Sequence, residues 1–194
     1  MNRLDRDLPV FEFYTDRASG ARLELHPWFS AGGRQYLGFT RLLPPRTGRA
    51  PAHVHPGVEQ RSLLLDGTAA RYRRSGRGGL LRPGDDVVIP PGVRHTDPYN
   101  HTDEPIVVRS LFSPGPVSLL SHSRTLGRAI RDGNVNDQQE LPLPHLLAVL
   151  AQPGSVTFAA GLPVGLQRRV LLPLAAAVAR RKGYRPAPGL RRAR

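Results

Sequence analysis

The length, composition and charge of the chain limit what it can be. Its 194 residues suffice for one good-sized domain, or for a smaller domain with an appendage. It has no cysteine, which excludes disulfides, thiolate metal ligands and a cysteine nucleophile, so any metal must rest on histidine and oxygen ligands. The formal net charge is +13, and residues 168–194 hold nine basic side chains and no acidic one, so the basicity belongs to the C-terminal end.

The N-terminal two thirds of the chain has the pattern of a β protein. Residues 1–15 alternate charged and apolar side chains and lack the apolar run of a secretory signal, so we expect a cytoplasmic protein. Short segments rich in β-branched and aromatic residues follow, separated every 8–12 residues or so by Gly, Pro, Asn and Asp, a spacing typical of antiparallel sandwiches and barrels. These segments are VFEFYT, ARLELHPW, RQYLGFTRLL, RSLLLDG, DDVVIP and EPIVVRSLF.

The pattern becomes helical after Pro114–Pro116. The segment VSLLSHSRTLGRAIRDG places its leucines and Ile130 on one face and ends at Gly133, a residue suited to a left-handed C-cap. LPHLLAVLAQPG and GLQRRVLLPLAAAVARRKG predict two further helices, the second interrupted at Pro173, which lacks a backbone donor. Prolines break up the apolar residues here, which argues against a membrane span, and we expect these helices to pack on the barrel or on a second subunit.

Two histidines lie two residues apart in APAHVHPGVEQRSLLLDG, residues 50–67. On a strand, His53 and His55 would leave the same face, and a residue at position 59 or 60 would return toward them after the Pro56–Gly57 turn. That arrangement suits metal chelation, although two histidines beside a turn are also compatible with an exposed surface.

A third histidine follows in RPGDDVVIPPGVRHTDPYN, residues 82–100. Two turns, at Gly84 and Gly92, bracket a buried strand and deliver His95 to the start of the next strand. Three histidines from two distant parts of the chain are the arrangement expected of a site inside a closed barrel. The remaining histidines have no spacing partner, and we expect each to be at the surface or locally hydrogen-bonded: His26, His101, His122 and His145.

Both histidine segments resemble the two motifs of the cupin superfamily in its small single-domain form. The first family motif reads G(X)5HXH, three or four residues, then E(X)6G, and the second reads G(X)5PXG(X)2H(X)3N. The first is matched by Gly48, His53, His55 and Gly67, with one residue fewer after the first glycine, and the second by Gly84, Pro90, Gly92 and His95, with Asn100 one place late.

The resemblance implies a mainly β fold. We expect a cupin double-stranded β-helix, or jelly-roll barrel, over residues 8–115, followed by a helical C-terminal extension with a basic tail over residues 116–194. The ending is similar to the helical extensions of some uncharacterised bacterial cupins. The resemblance also implies a divalent metal ion (Fe, Mn, Ni or Zn) at His53, His55 and His95.

The chain departs from the family at the glutamate ligand. Counting back from Gly67 puts that position at Gln60, whereas counting forward from His55 puts it at Glu59. We favour Gln60 as the inward residue and fourth metal ligand, because slipping the strand by one residue would exchange its buried and exposed faces. A neutral amide leaves the ion's +2 charge undiminished and favours a bound anion. It cannot act as a general base, which leaves that role to the substrate, a water or Glu59.

Three functional hypotheses follow. The first is a metal-dependent enzyme, resembling cupin dioxygenases or isomerases, that acts on a small organic molecule. The second is a non-enzymatic cupin that binds a small molecule and contacts a partner or an anionic membrane surface through its basic helical end. The third is nucleic-acid binding, against which the lack of a base-reading motif argues. We expect a homodimer.

Overall fold

The computed structural model describes residues 8–187 and shows two antiparallel β-sheets followed by helices, with one short late strand. The predicted mainly β fold with a C-terminal helical appendage is therefore confirmed. The strands are β1 (Glu12–Thr15), β2 (Arg22–Ala31), β3 (Arg34–Leu43), β4 (His53–Val54), β5 (Glu59–Asp66), β6 (Ala70–Arg74), β7 (Arg77–Leu81), β8 (Asp86–Ile89), β9 (His95–Asn100), β10 (Ile106–Ser113) and β11 (Phe158–Ala159). The helices are α1 (Val117–Arg131), α2 (Leu143–Leu150), α3 (Val164–Leu166) and α4 (Leu172–Arg181), with a π-helical turn (Gln167–Leu171) between the last two.

The strand order mixes distant parts of the chain. The six-stranded sheet has the order β1-β2-β3-β10-β5-β8, and the five-stranded sheet has the order β11-β4-β9-β6-β7. Strand β11 follows two of the helices in sequence, yet it pairs with β4, placing Phe158 opposite Val54 and Ala159 opposite His53. The C-terminal region therefore adds a strand beside the histidines. The division of the chain between residues 115 and 116 stays a prediction.

Strand β5 ends at a turn that only glycine fits. Gly67 has φ +99°, and a Cβ at this position would lie 2.7 Å from Cγ2 of Ile106. Just before the turn, the pairing of β5 with β10 skips one residue between Leu64 and Asp66, which is a β-bulge. In the resulting register Gln60 is buried, with only 1% of its surface exposed.

Two large clusters of buried apolar side chains hold the sheets and helices together. One lies between the two sheets and contains Leu43, Leu64, Ala70, Leu81, Val87, Ile89, Ile106 and Val108. The other joins the six-stranded sheet to α1 and α2 and includes Tyr14, Leu23, Leu25, Leu37, Phe112, Leu119, Leu120, Leu126, Ile130, Leu141 and Val149. The appendage thus shares a core with the barrel and covers one end of it.

The helices follow the sequence pattern closely. Helix α1 packs on β1 and β2, and Gly133, two residues after its last residue, has the left-handed φ of +67° that the sequence predicts. Helix α2 packs against α4. The predicted interruption at Pro173 takes the form of the π-helical turn that precedes α4. Within residues 8–187, no helix combines the length and apolar character that crossing a bilayer requires.

A buried ion pair fixes the loop between α1 and α2 to the barrel. The Arg41 guanidinium on β3 donates to Oε1 of Glu140 at 2.6 Å and to the carbonyl of Gln139 at 2.9 Å. The side chains of Arg41 and Glu140 are only 9% and 13% exposed. Burial raises the pKa of the Glu140 carboxyl, which the nearby Arg41 charge only partly offsets.

We expect Glu140→Ala to lower the free energy of unfolding by about 3 kcal/mol, because it leaves the buried Arg41 charge without a carboxylate. The measurement is urea unfolding at neutral pH. Asp103→Ala is the matched control: Asp103 pairs with Arg46 at 2.9 Å, but both side chains are exposed, so this variant should unfold almost as the parent does. Equal losses in the two variants would contradict a structural role for the buried pair.

Candidate metal centre

Three histidines converge between β4 and β9. His53 and His95 are directly paired across the two strands. The centroid of the His53 ring lies 4.4 Å from that of the His95 ring and 4.8 Å from that of the His55 ring. One ring nitrogen from each of the three lies within 4.8 Å of the others. The convergence that the sequence predicts is present, and this group could hold a metal ion.

The three imidazoles are oriented by contacts of their Nδ1 atoms. His53 Nδ1 lies 2.9 Å from the carbonyl of Pro51, and His95 Nδ1 lies 2.8 Å from that of Val93. His55 Nδ1 contacts Oγ1 of Thr157 at 3.2 Å and the carbonyl of Val156 at 3.4 Å. A carbonyl accepts only from N–H, so these contacts place the proton of a neutral ring on Nδ1 and leave the Nε2 lone pair free for a ligand. Metal-binding histidines are commonly oriented in this way.

The Nε2 atoms face partners that fit a cation. Nε2 of His55 is buried and has no hydrogen-bond partner among the described residues. Nε2 of His95 lies 2.9 Å from Oε1 of Gln60. If Nδ1 carries the proton of His95, this contact brings two lone pairs together, and a cation bound by both atoms would relieve their repulsion. The residues present therefore fit a divalent ion.

Burial favours the neutral form of two of the three histidines, His55 and His95. Burial is the main cause that lowers the pKa of His55, to about 3, and the neighbouring His53 and His95 lower it further. Burial likewise lowers the pKa of His95. Because metals bind the neutral imidazole, the lowered pKa values of His55 and His95 favour the form that could hold an ion.

Gln60 and Asp97 form a polar pair beside the histidines. Gln60 Nε2 donates to Oδ1 of Asp97 at 2.6 Å and to Oγ of Ser62 at 3.1 Å. A carboxylate accepts but does not donate, so Asp97 holds the amide with its nitrogen toward Asp97 and its oxygen toward His95. Burial alone would raise the pKa of Asp97, but His53, His95 and the Gln60 hydrogen bond outweigh it and lower the pKa to about 2. The residue at the family's glutamate position is neutral, and an ionised carboxylate lies next to it.

The sequence analysis did not identify Asp97. Asp97 lies two residues after His95 on β9, and a spacing of two puts both side chains on the same face of a strand. Its carboxylate Oδ2 is 3.9 Å from Nε2 of His53. The spacing His-X-Asp was therefore a usable signal, the same one that links His53 and His55.

Glu59 and Asn100 lie away from the histidine group. Glu59 forms an ion pair with Arg34 at 2.9 Å, so its carboxylate points to the opposite side of β5 from Gln60. Asn100 donates from Nδ2 to the carbonyls of Leu43, Pro44 and Glu104. The asparagine of the second motif thus has a structural role in this chain, where it holds the chain segments at the end of β3 and β9 together.

The histidine group opens into a cavity of about 350 Å³ between the barrel and the helices. His53, His55 and Asp97 line it from the barrel, and His122 lines it from α1. We expected His122 to be at the surface or locally hydrogen-bonded; it instead faces this cavity, and no spacing signal in the sequence marked it. Burial is the main cause that lowers its pKa, to about 4, and the charge of His53 adds to the effect.

The three remaining histidines do not belong to the histidine group. His26 is buried on β2, where Nε2 contacts Oγ1 of Thr40 at 2.7 Å and Nδ1 contacts the carbonyl of Pro9 at 3.1 Å. The ring of His145 lies 5.4 Å from that of Tyr184. His101 follows the end of β9, and none of the three belongs to the metal-ligand group found in the described part of the chain.

Comparison with known families agrees with this architecture. Residues 39–112 match the family described as the cupin domain, and this range contains all three histidines and Gln60. The chain therefore carries a cupin domain, and its fold is a cupin jelly roll with a helical appendage. No curated protein matches the chain.

Several solved structures are similar to part of the chain. KdgF from a Halomonas species is 18% identical over 58% of this chain and 89% of its own, with a TM-score of 0.41. An RmlC-like cupin from Shewanella frigidimarina is 16% identical over 56% of this chain and 91% of its own, with a TM-score of 0.41. The DMSP lyase DddQ from Ruegeria pomeroyi is 27% identical over 43% of each chain, with a TM-score of 0.34.

The lowered pKa of His122 predicts a loss of stability in acid. In the unfolded chain the His122 imidazole binds a proton below about pH 6.5, whereas in the folded protein it does so only below about pH 4. The free energy of unfolding therefore falls as the pH falls through this range. From pH 7 to pH 5, the free energy of unfolding of His122→Gln should fall by about 2 kcal/mol less than that of the parent. Urea unfolding at both values measures the difference. Between pH 7 and pH 8 the free energy of unfolding should change equally in the two proteins. Equal changes between pH 7 and pH 5 as well would contradict the prediction.

Proposed function

We propose that this protein is a metal-dependent cupin enzyme that acts on a small organic molecule, as an oxygenase or isomerase. A divalent ion (Fe, Mn, Ni or Zn) is held by His53, His55 and His95, with Gln60 as a fourth ligand. The observation that carries the proposal is the 2.9 Å approach of Gln60 Oε1 to His95 Nε2, two atoms that both present lone pairs when His95 donates from Nδ1. When bound, the ion supplies Lewis acidity that polarises an oxygen of the substrate.

The chain's own groups can position a substrate next to the ion. Asp97 lines the cavity with its Oδ1 occupied by Gln60, which leaves Oδ2 to accept a hydrogen bond from a substrate. Its low pKa makes Asp97 a weak base, and Glu59, the base that the sequence offered, is turned outward to Arg34. The neutral His122 lies across the cavity and can hydrogen-bond a polar group of the substrate.

Metal content tests the ligand set. Protein purified without a histidine tag or chelator should contain about one transition-metal ion per chain by elemental analysis. His53→Ala and His55→Ala should each reduce this to background, because each removes a ligand from a set of four. His101→Ala, at a histidine outside the group, is the control and should retain the metal. Metal content near zero in the parent, after incubation with each candidate ion, would rule out the proposal.

Exchanging the amide and the carboxylate between positions 60 and 97 tests whether Asp97 orients the side chain of residue 60. Gln60→Glu alone sets two carboxylates at hydrogen-bond distance, so we expect weak metal binding. Gln60→Glu with Asp97→Asn restores the hydrogen bond in reverse and provides the family's acidic ligand, so we expect metal affinity at least about 10-fold above that of the single variant. Titration against a competing chelator measures both. A single variant that binds as tightly as the double variant would show that Asp97 does not orient residue 60.

A second candidate function is small-molecule binding without catalysis, at an anionic membrane surface. Four exposed apolar side chains recur every four residues along α3, the π-helical turn and α4: Leu166, Val170, Leu174 and Val178, which are 44%, 45%, 63% and 56% exposed. Basic side chains flank them at Arg168, Arg169, Arg180, Arg181 and Lys182, and residues 168–187 contain no acid. An apolar stripe with basic flanks is the pattern of helices that lie in a membrane interface.

Vesicle flotation tests this candidate. The protein should float with vesicles of phosphatidylcholine and phosphatidylserine, and much less with phosphatidylcholine alone or in high salt, because basic residues bind anionic lipid electrostatically. Leu174→Asp with Val178→Asp should abolish flotation. Leu143→Asp on α2, at a leucine of similar exposure (66%) outside the stripe, should not. Equal behaviour of the two variants would contradict the assignment of this face.

A further inference from the structure

The cavity beside the histidines has two chemically different ends. At the barrel end it is lined by the imidazoles of His53 and His55 and by Asp97. On the helical side it is lined by apolar side chains of α2, which are Leu143, Leu146, Leu147 and Leu150, and Phe158 of β11 lines it beside β4. A molecule that fills both ends must therefore carry a polar head and an apolar body. The volume of about 350 Å³ lies within the range of small-molecule sites, about 300–1,000 Å³.

The charges around the cavity determine whether the polar head of a bound molecule is anionic or cationic. Glu140 is paired with Arg41, and Asp97 is held by Gln60. Arg49, at the exposed rim, stacks over the ring of Tyr99 at 5.8 Å and, within residues 8–187, has no carboxylate partner. A divalent ion on three neutral imidazoles and a neutral amide exceeds the single negative charge of Asp97. The polar end is therefore net positive and suits an anionic oxygen.

We propose that the cavity binds an amphipathic organic acid, with its carboxylate at the histidine end and its hydrocarbon body along α2. This inference rests on the proposed function for the charge of the head, whereas the apolar half follows from the helical lining alone. The helical appendage would then determine substrate choice, because α2 and β11 supply the walls that the body contacts. The open side lies at Leu143, which lines the cavity and is 66% exposed.

The test is calorimetric binding of straight-chain saturated carboxylates of increasing length to the metal-loaded full-length protein. Affinity should rise about fourfold with each added methylene until the cavity is full, because each methylene leaves water for an apolar wall. Alcohols of the same length should bind at least about 10-fold more weakly, because they lack the charge. Affinity that does not depend on chain length, or alcohols that bind as tightly as acids, would overturn the inference.

Two matched leucines locate the binding site. Leu143→Glu puts a charge at the open side of the cavity, and Leu174→Glu puts the same charge on α4 at a leucine that is 63% exposed and does not line the cavity. Because both positions are exposed, both variants should fold. Leu143→Glu should weaken binding of the longest acid at least about 10-fold, through repulsion and the loss of apolar contact. Leu174→Glu should leave it unchanged, and equal effects would place the acid elsewhere.

Metal removal separates this inference from the proposed function. In chelator-treated protein and in His53→Ala, the rise in affinity with chain length should persist, while the preference for acids over alcohols should shrink. A full preference for acids in protein that binds no metal would reject the metal-dependent function and leave the cavity assignment intact, with Arg49 as the source of charge. Loss of the chain-length dependence in every form of the protein would reject the cavity assignment.

Discussion

The pairing of His53 with His95 across β4 and β9 is the constraint on which the site depends. It brings two imidazoles together at an interplanar angle of 61°, edge against face, and the HXH spacing brings His55 beside them. Polar contacts at each Nδ1, mostly with backbone carbonyls, leave the Nε2 atoms for a ligand, and one ring nitrogen of each histidine lies within 4.8 Å of the others. Burying imidazole rings costs hydration, and a partner for their remaining nitrogens offsets that cost. A cation meets this requirement for all three at once.

The missing glutamate is compensated by its neighbours. A glutamate at position 60 would face Asp97 at hydrogen-bond distance, and two carboxylates that close cannot both remain ionised. Glutamine avoids the repulsion and still presents an oxygen toward His95. A negative charge thus remains near the histidines, on Asp97 beside position 60, where it orients the Gln60 amide. The departure from the family motif and the presence of Asp97 are best understood as one feature.

The helical appendage completes the site as well as covering the barrel. It contributes β11 beside β4, the wall formed by α2, and His122 from α1. The buried Arg41–Glu140 pair ties the connecting loop to the sheet and holds that wall in place. The exposed apolar side chains of α4, Leu174 and Val178, do not line this cavity, so the proposed ligand binding and the proposed membrane contact would use different surfaces of the same appendage.

The sequence by itself determined the mainly β class and the helical ending, because turn glycines and strand periodicity are local signals that survive without tertiary context. The convergence of the three histidines followed from the resemblance of both segments to the cupin motifs. The sequence also favoured Gln60 over Glu59, because a strand has only two faces. Tertiary structure alone decided that Asp97 bonds Gln60, that His122 enters the cavity and that β11 pairs with β4. These depend on how elements far apart in the chain pack together, and no local spacing encodes such packing. The cavity lies where the barrel and the helices meet, so its lining could not be predicted from the sequence of either part alone.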